Sequence, residues 1–96
     1  AIKRFLRGLD FYLVQDFDSS IADMTQAILL DDTFFPAYFV RALLRCKQLE
    51  YMKAEAIIDS NLPHQARSQE NEVGKFNMEY ELIRKDLDKV LEIAPD

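Results

Sequence analysis

The chain has 96 residues, a net charge of −5 and 49% hydrophobic residues, and it contains only two glycines and three prolines. This length predicts one small domain, and the scarcity of glycine and proline favours long helices over a turn-rich sheet. The negative charge argues against nucleic acid or an anionic membrane as a partner, and no apolar run approaches the roughly 20 residues that span a bilayer.

The first predicted helix covers residues 1–15. Gly8 lies inside it and costs about 1 kcal/mol relative to alanine. Two explanations remain open for this glycine: close approach of another helix, or a tolerated defect near a frayed end. The residues that recur at helical spacing form one apolar face, which comprises Ile2, Phe5, Leu6, Leu9, Tyr12 and Leu13.

The second predicted helix covers residues 18–31. Either Asp16 or Asp18 can cap its start, because a carboxylate accepts hydrogen bonds from the free backbone N–H groups there. Residues 31–33 then interrupt the apolar pattern, and this interruption predicts a tight turn. Two antiparallel helices joined by about four residues are the expected result.

The third predicted helix begins at Pro36, since proline fits the first helical turn, and it runs to about residue 50. The segment Met52–Ile58 is compatible with a helix and can lengthen it. Residues 59–72 are polar, contain Pro63 and show no apolar period, so they predict a long surface loop. A structureless loop of this size is uncommon inside a compact domain.

The fourth predicted helix covers residues 77–94. Asn77 can cap its start, and Pro95 ends it. Opposite charges four residues apart support the outer side of this helix. Its apolar face comprises Tyr80, Ile83, Leu87, Val90, Leu91 and Ala94.

The sequence resembles itself when it is shifted by the distance along the chain from Phe5 to Phe39. We call this shift the short interval. The end of the second helix is echoed near the end of the chain at a longer interval, that from Ala27 to Val90, called the long interval. The second unit therefore looks like the first with an insertion between its helices. Further pairs at the short interval are Arg7 and Arg41, Gly8 and Ala42, Leu9 and Leu43, and Phe17 and Tyr51.

Two segments compete to be the second helix of the second unit. They are Met52–Ile58 and Tyr80–Ala94. The later segment is favoured because it is longer and better patterned, and the earlier one then extends the third helix.

This pattern resembles the tetratricopeptide repeat (TPR) family, with one unit at 1–34 and a second at 35–96 that contains the insertion at about 52–79. An unrelated four-helix bundle is the alternative. Ser20, Asp32 and Arg45 depart from the family pattern. The positions that match it are Arg7, Gly8, Phe11, Asp16, Phe17, Ile21, Met24 and Ala27 in the first unit, and Tyr38, Arg41, Ala42, Tyr51, Ile83, Leu87, Val90 and Pro95 in the second.

The resemblance implies an all-α fold in which antiparallel hairpins stack as a short right-handed superhelical solenoid. It also implies a protein-interaction scaffold that binds a peptide or a partner helix in a concave groove. Because repeat arrays usually need about three units, we expect a fragment of a longer array that can self-associate through exposed ends. The alternative is a structural spacer without a foreign ligand. The candidate groove residues, which can instead serve packing, are Ile2, Phe5, Leu9, Tyr12, Leu13, Phe39, Leu43, Cys46 and Lys47.

The sequence predicts no catalytic residue, no metal site and no cofactor. His64, the only histidine, lies in the predicted loop without other metal ligands at coordinating spacing. Cys46 lies among apolar residues and is expected to be buried and inert, with a reactive thiol as the alternative. The pairs Asp31–Asp32 and Asp86–Asp88 are expected to serve capping and solubility.

Two features of the sequence bear on the origin and compartment of the chain. It shows neither an initiator methionine nor a signal-peptide pattern, so we expect a fragment or a processed form. A single cysteine fits a reducing compartment, with the cytoplasm favoured, or a secreted protein that is stabilised in another way.

Overall fold

A computed structural model describes residues 1–60 and 69–95, and it describes side chains for residues 1–58 and 76–95. The described chain is helical and has no strand, so the predicted all-α class is confirmed. Its elements in chain order are α1 (Ile2–Leu13), α2 (Phe17–Leu30), α3 (Phe35–Ser60) and α4 (Gln69–Ile93). No helix in these ranges combines the length and apolarity needed to cross a bilayer.

The turn between α1 and α2 is built by backbone capping at both sides. Gln15 has a φ of 62°, and its N–H donates to the carbonyl of Tyr12, while the N–H of Asp16 donates to the carbonyl of Phe11. This is the Schellman arrangement that commonly ends a helix. Asp16 then caps α2, since its Oδ1 accepts from the N–H of Ser19 at 3.2 Å. The capping role predicted for Asp16 is confirmed.

The first hairpin is closed by contact between α1 and α2 at Gly8. A Cβ atom added to Gly8 would lie 2.6 Å from Cε of Met24, and the Gly8 carbonyl accepts a 2.6 Å hydrogen bond from Oγ of Ser20. The close approach predicted for Gly8 is therefore confirmed. It also explains Ser20, which is fully buried and uses its hydroxyl to satisfy that carbonyl.

Two apolar clusters hold the four helices together. The first joins Met24 and Ala27 of α2 to Ala37 and Leu44 of α3, and all four side chains are buried. The second joins Ala42 and Leu49 of α3 to Ile83 of α4, with Cys46 and Phe76 packed against it. The chain thus forms one hairpin from α1 and α2 and another from α3 and α4, and α2 packs against α3.

The same ion pair occurs in both hairpins. Arg7 of α1 donates to both carboxylate oxygens of Asp23 at 2.8 and 2.6 Å. Arg41 of α3 donates to both oxygens of Asp86 at 2.8 and 2.5 Å, and Arg45 adds a third hydrogen bond at 2.9 Å. Arg7 and Arg41 are related by the short interval, and Asp23 and Asp86 are related by the long interval. Both intervals found in the sequence therefore recur in this contact.

The prediction of a long loop at residues 59–72 is wrong for those of them that the structure describes. Residues 59–60 end α3, and residues 69–72 begin α4, while 61–68, including Pro63 and His64, lie outside the described residues. Asn77 lies within α4 and does not cap it. The segment Met52–Ile58 lengthens α3, and α4 is the helix that pairs with α3.

Candidate functional site

A cleft lies where the α1–α2 turn meets the middle of α3. One part of it, of about 260 Å³, is lined by residues of α1, the turn and α3, among them Tyr12, Leu13 and Lys47. An adjoining part, of about 440 Å³, extends along α3 to Gln48 and Met52. We call the two parts together the aromatic cleft. The side chains that line both parts are Gln15, Phe17 and Tyr51.

Three aromatic rings form a row in this cleft. The ring centroids of Tyr12 and Phe17 lie 6.1 Å apart with their planes inclined by 51°. Those of Phe17 and Tyr51 lie 5.8 Å apart and are inclined by 35°. The Schellman turn positions this row, because it brings Phe17 at the start of α2 back against Tyr12 at the end of α1. Rings at these distances supply a broad apolar surface with polar hydroxyls at its edge.

The polar groups around the rings differ in how firmly they are held. Gln48 donates a 2.6 Å hydrogen bond to Asp18, so one N–H of its amide is already used. Lys47 lies 3.7 Å from Glu50, beyond hydrogen-bond distance, and its side chain is half exposed. The Lys47 ammonium can therefore donate to a ligand in the cleft at little cost.

The structure brings together only some of the groove residues predicted from the sequence. Tyr12, Leu13 and Lys47 line the aromatic cleft. Ile2 lines a separate cavity of about 610 Å³ between the start of α1 and the end of α2. Three others pack inward, namely Phe5 and Leu9 against the first apolar cluster and Cys46 against the second.

Phe5 and Phe39 have different surroundings. The ring of Phe5 packs edge to face against Phe34, with centroids 5.3 Å apart. Phe39 is 45% exposed, and Leu43 one turn later is similarly exposed. Phe5 thus lies against the turn between α2 and α3, whereas Phe39 lies on the exposed face of α3.

Five lining residues of the cleft were missed from the sequence as groove residues, one of them Gln48 of α3. Phe17 and Tyr51 were visible only as an aromatic pair at the short interval, and the prediction used only the faces of the first helices. Gln15 comes from a turn, where helical periodicity gives no information, and Met52 comes from the extension of α3.

The aspartates outside the cleft have structural roles. Asp31 accepts hydrogen bonds from the hydroxyl and the N–H of Thr33, and the hydroxyl contact lowers the pKa of its carboxyl. These contacts lie within the turn between α2 and α3, so the carboxylate stabilises this turn and the helix-capping role predicted for it is wrong. The solubility role predicted for Asp86 is wrong, because Asp86 is 3% exposed and bound by two arginines. No group of metal-binding side chains occurs among the described residues.

Comparison of the chain with protein-family models, with curated proteins and with solved structures finds no match.

Proposed function

We propose that this chain is a protein-interaction module of the TPR kind and that its aromatic cleft binds a segment of a partner protein. The observation that carries the proposal is the meeting of Tyr12, Leu13 and Lys47 in one cleft, where the ring of Tyr12 is the first in a row of three aromatic rings. Tyr12 and Leu13 come from the first hairpin and Lys47 from the second. A surface assembled from two hairpins fits a ligand that crosses both.

The repeated ion pair supports the proposed repeat architecture. Arg7 and Asp23 in the first hairpin correspond to Arg41 and Asp86 in the second, at the two intervals found in the sequence. An unrelated four-helix bundle would not need the same bidentate contact at equivalent positions. We therefore propose two units, 1–34 and 35–96, stacked as a short solenoid, with the extensions of α3 and α4 as the insertion.

The chemistry of the cleft favours a peptide with an apolar side chain beside an acceptor group. The rings of Phe17 and Tyr51 and the thioether of Met52 offer an apolar wall. Lys47 offers a cation at the other part of the cleft, where a backbone carbonyl or a carboxylate of the ligand can accept. Such pockets, with apolar walls and few polar groups, are typical of ligand sites.

The experiment selects random peptides displayed on phage against the immobilised chain and titrates an enriched peptide against variants. We expect Tyr51→Ala and Lys47→Glu each to weaken binding by roughly tenfold, as interface residues of this kind do. Leu29→Ala is the matched control, because Leu29 is 73% exposed on α2 outside the cleft. The proposal fails if no peptide is enriched, or if enriched peptides bind the Tyr51 and Lys47 variants as well as the control.

The competing hypothesis is a structural segment whose cleft holds no foreign ligand. The same selection separates the two, since a structural segment yields no peptide that depends on Tyr51. The proposed role requires no catalysis by the chain, in keeping with the expectation from its sequence.

A further inference from the structure

The outer surface of α4 carries an exposed apolar strip. Leu87 is 39% exposed, Tyr80 46% and Leu91 61%. These residues lie on one face of the helix, because their spacing of seven and four residues returns to the same side. We call Tyr80, Leu87 and Leu91 the outer strip of α4.

The first hairpin shows what such a strip packs against. The long interval, which relates Asp23 to Asp86, also relates Met24 to Leu87 and Ile28 to Leu91. On α2, Met24 is fully buried and Ile28 is half-buried. The outer strip is the corresponding surface of α4, where Leu87 and Leu91 are exposed and Tyr80 contacts Lys53 of α3. The residues of α3 that cover the surface of α2 are Ala37, Val40 and Leu44.

The polar residues beside the strip indicate which charge a helix packed on it would carry. On α2, Thr25 accepts a 3.2 Å hydrogen bond from Arg41, and Asp18 accepts one from Gln48. At the long interval, Thr25 corresponds to Asp88 and Asp18 to Glu81, and both of these carboxylates on α4 are exposed. A basic side chain at the position of Arg41 would therefore meet a carboxylate on α4 instead of a hydroxyl.

One residue of α4 changes the fit. Arg84 stands where α2 has Ile21, and it contacts Glu81 at 3.6 Å. Because Arg84 is 72% exposed at its side chain, it can turn away from an incoming helix without breaking a buried contact.

The α1 helix of a second copy does not fit this surface. The short interval places Lys3 at the position of Ala37 and Asp10 at the position of Leu44. Both side chains are exposed on α1. Packing α1 against the outer strip would bury an unpaired ammonium and an unpaired carboxylate, which is unfavourable.

We infer that the outer strip of α4 is a docking surface for an amphipathic helix, from a partner, that has the face of α3. That face has a small residue first, aliphatic residues three and seven positions later, and a basic residue four positions later. In α3 these are Ala37, Val40, Leu44 and Arg41. The surface is separate from the aromatic cleft, so the inference does not depend on ligand binding there, but it rests on the proposed correspondence of the two units.

The probe is a fluorescent peptide of residues 35–52 with Cys46→Ser, titrated into the intact chain and followed by anisotropy. We expect saturable binding that weakens by about tenfold in Leu87→Glu and in Leu91→Glu. Asp88→Lys should weaken binding more at low salt than at high salt, because the contact is between charges. Leu29→Glu on α2 is the matched control and should bind as the unaltered chain does.

Two results would overturn the inference. The first is no saturable binding, or binding that Leu91→Glu does not weaken while circular dichroism shows that this variant is folded. The second comes from sedimentation of the chain alone. If the unaltered chain forms dimers and Leu91→Glu abolishes them, the occupant of the strip is a second copy and not the proposed partner helix.

Discussion

Replacing Asp86 with alanine should remove a large part of the stability of this protein. The carboxylate accepts hydrogen bonds from Arg41 at 2.8 and 2.5 Å and from Arg45 at 2.9 Å. The arginine side chains are only 15% and 18% exposed. The Asp86→Ala variant leaves two guanidinium groups close together without their counter-ion, and burial already lowers the pKa of Arg45.

The expected loss follows from the exposure of the two arginines. Removing one partner of a buried ion pair costs about 3–5 kcal/mol, and partial hydration of the arginines places this case near about 3 kcal/mol. For a domain of this size, that loss corresponds to a fall in melting temperature of roughly 12–24 °C. Urea unfolding followed by circular dichroism at constant pH measures the change in free energy.

Two other aspartates provide internal controls for this measurement. Asp23 forms the equivalent pair, but its partners Arg7 and Arg4 have side chains that are 56% and 45% exposed. These arginines recover hydration when the carboxylate is lost, so Asp23→Ala should cost less than Asp86→Ala. Asp88→Ala, at an exposed position on α4, should stay within about 0.5 kcal/mol of the unaltered chain. The reasoning is refuted if Asp23→Ala costs as much as Asp86→Ala, or if Asp86→Ala costs no more than Asp88→Ala.

Two further predictions concern the turn after α1 and the acid limb of stability. Gln15→Gly should raise stability by about 1 kcal/mol in thermal unfolding, because φ at this position is 62° and glycine adopts it without strain. Gln26→Gly, on the exposed side of α2, should instead lower stability by about 1 kcal/mol; equal effects of the two changes would contradict this explanation. The hydrogen bond from Arg7 lowers the pKa of the Asp23 carboxyl below its ordinary value, so this group contributes stability above that ordinary value and loses it as pH falls through the lowered pKa. Asp23→Asn should therefore flatten the acid limb of urea midpoints, and an unchanged limb would exclude this role for Asp23.

The helices and their order could be predicted from the sequence because each helix contains a stretch with a regular apolar period. Pro36 lies in the first turn of α3, and Asp16 caps α2, as their chemistry requires. The start of α4 could not be predicted in this way. Its described contacts there are with the extension of α3, where Lys53 lies over the rings of Phe76 and Tyr80. Residues 69–72, at the start of α4, are all polar, so their sequence resembles a polar loop and shows no helical period.

The role of Asp86 was hidden because aspartate is usually exposed, and single residues give no sign of burial. The information was present in the two intervals taken together. Arg7 and Arg41 correspond at the short interval, and applying the long interval to Asp23 gives Asp86. The aromatic cleft was only half predictable for a different reason. Gln15 reaches the cleft from the turn after α1, where it adopts the left-handed conformation that usually marks a glycine. Helical periodicity does not extend into this turn.

The exposed faces of α1 and α4 differ in polarity, and a variant that removes this difference tests its effect. On α1, Lys3 and Asp10 replace the Ala37 and Leu44 of α3, while α4 keeps an apolar strip. The Lys3→Ala plus Asp10→Leu variant should give α1 the face of α3 without disturbing the fold, since both side chains are exposed.

That variant should then pack head to tail, with α1 of one copy on α4 of the next. Such an interface is heterologous and does not close on itself, so the sedimentation coefficient should rise continuously with concentration. Adding Leu91→Glu should return the variant to the behaviour of the unaltered chain, because it places a charge in the middle of the new contact. A variant that sediments like the unaltered chain at every concentration, or whose association ignores Leu91→Glu, would show that Lys3 and Asp10 are not what keeps α1 off α4.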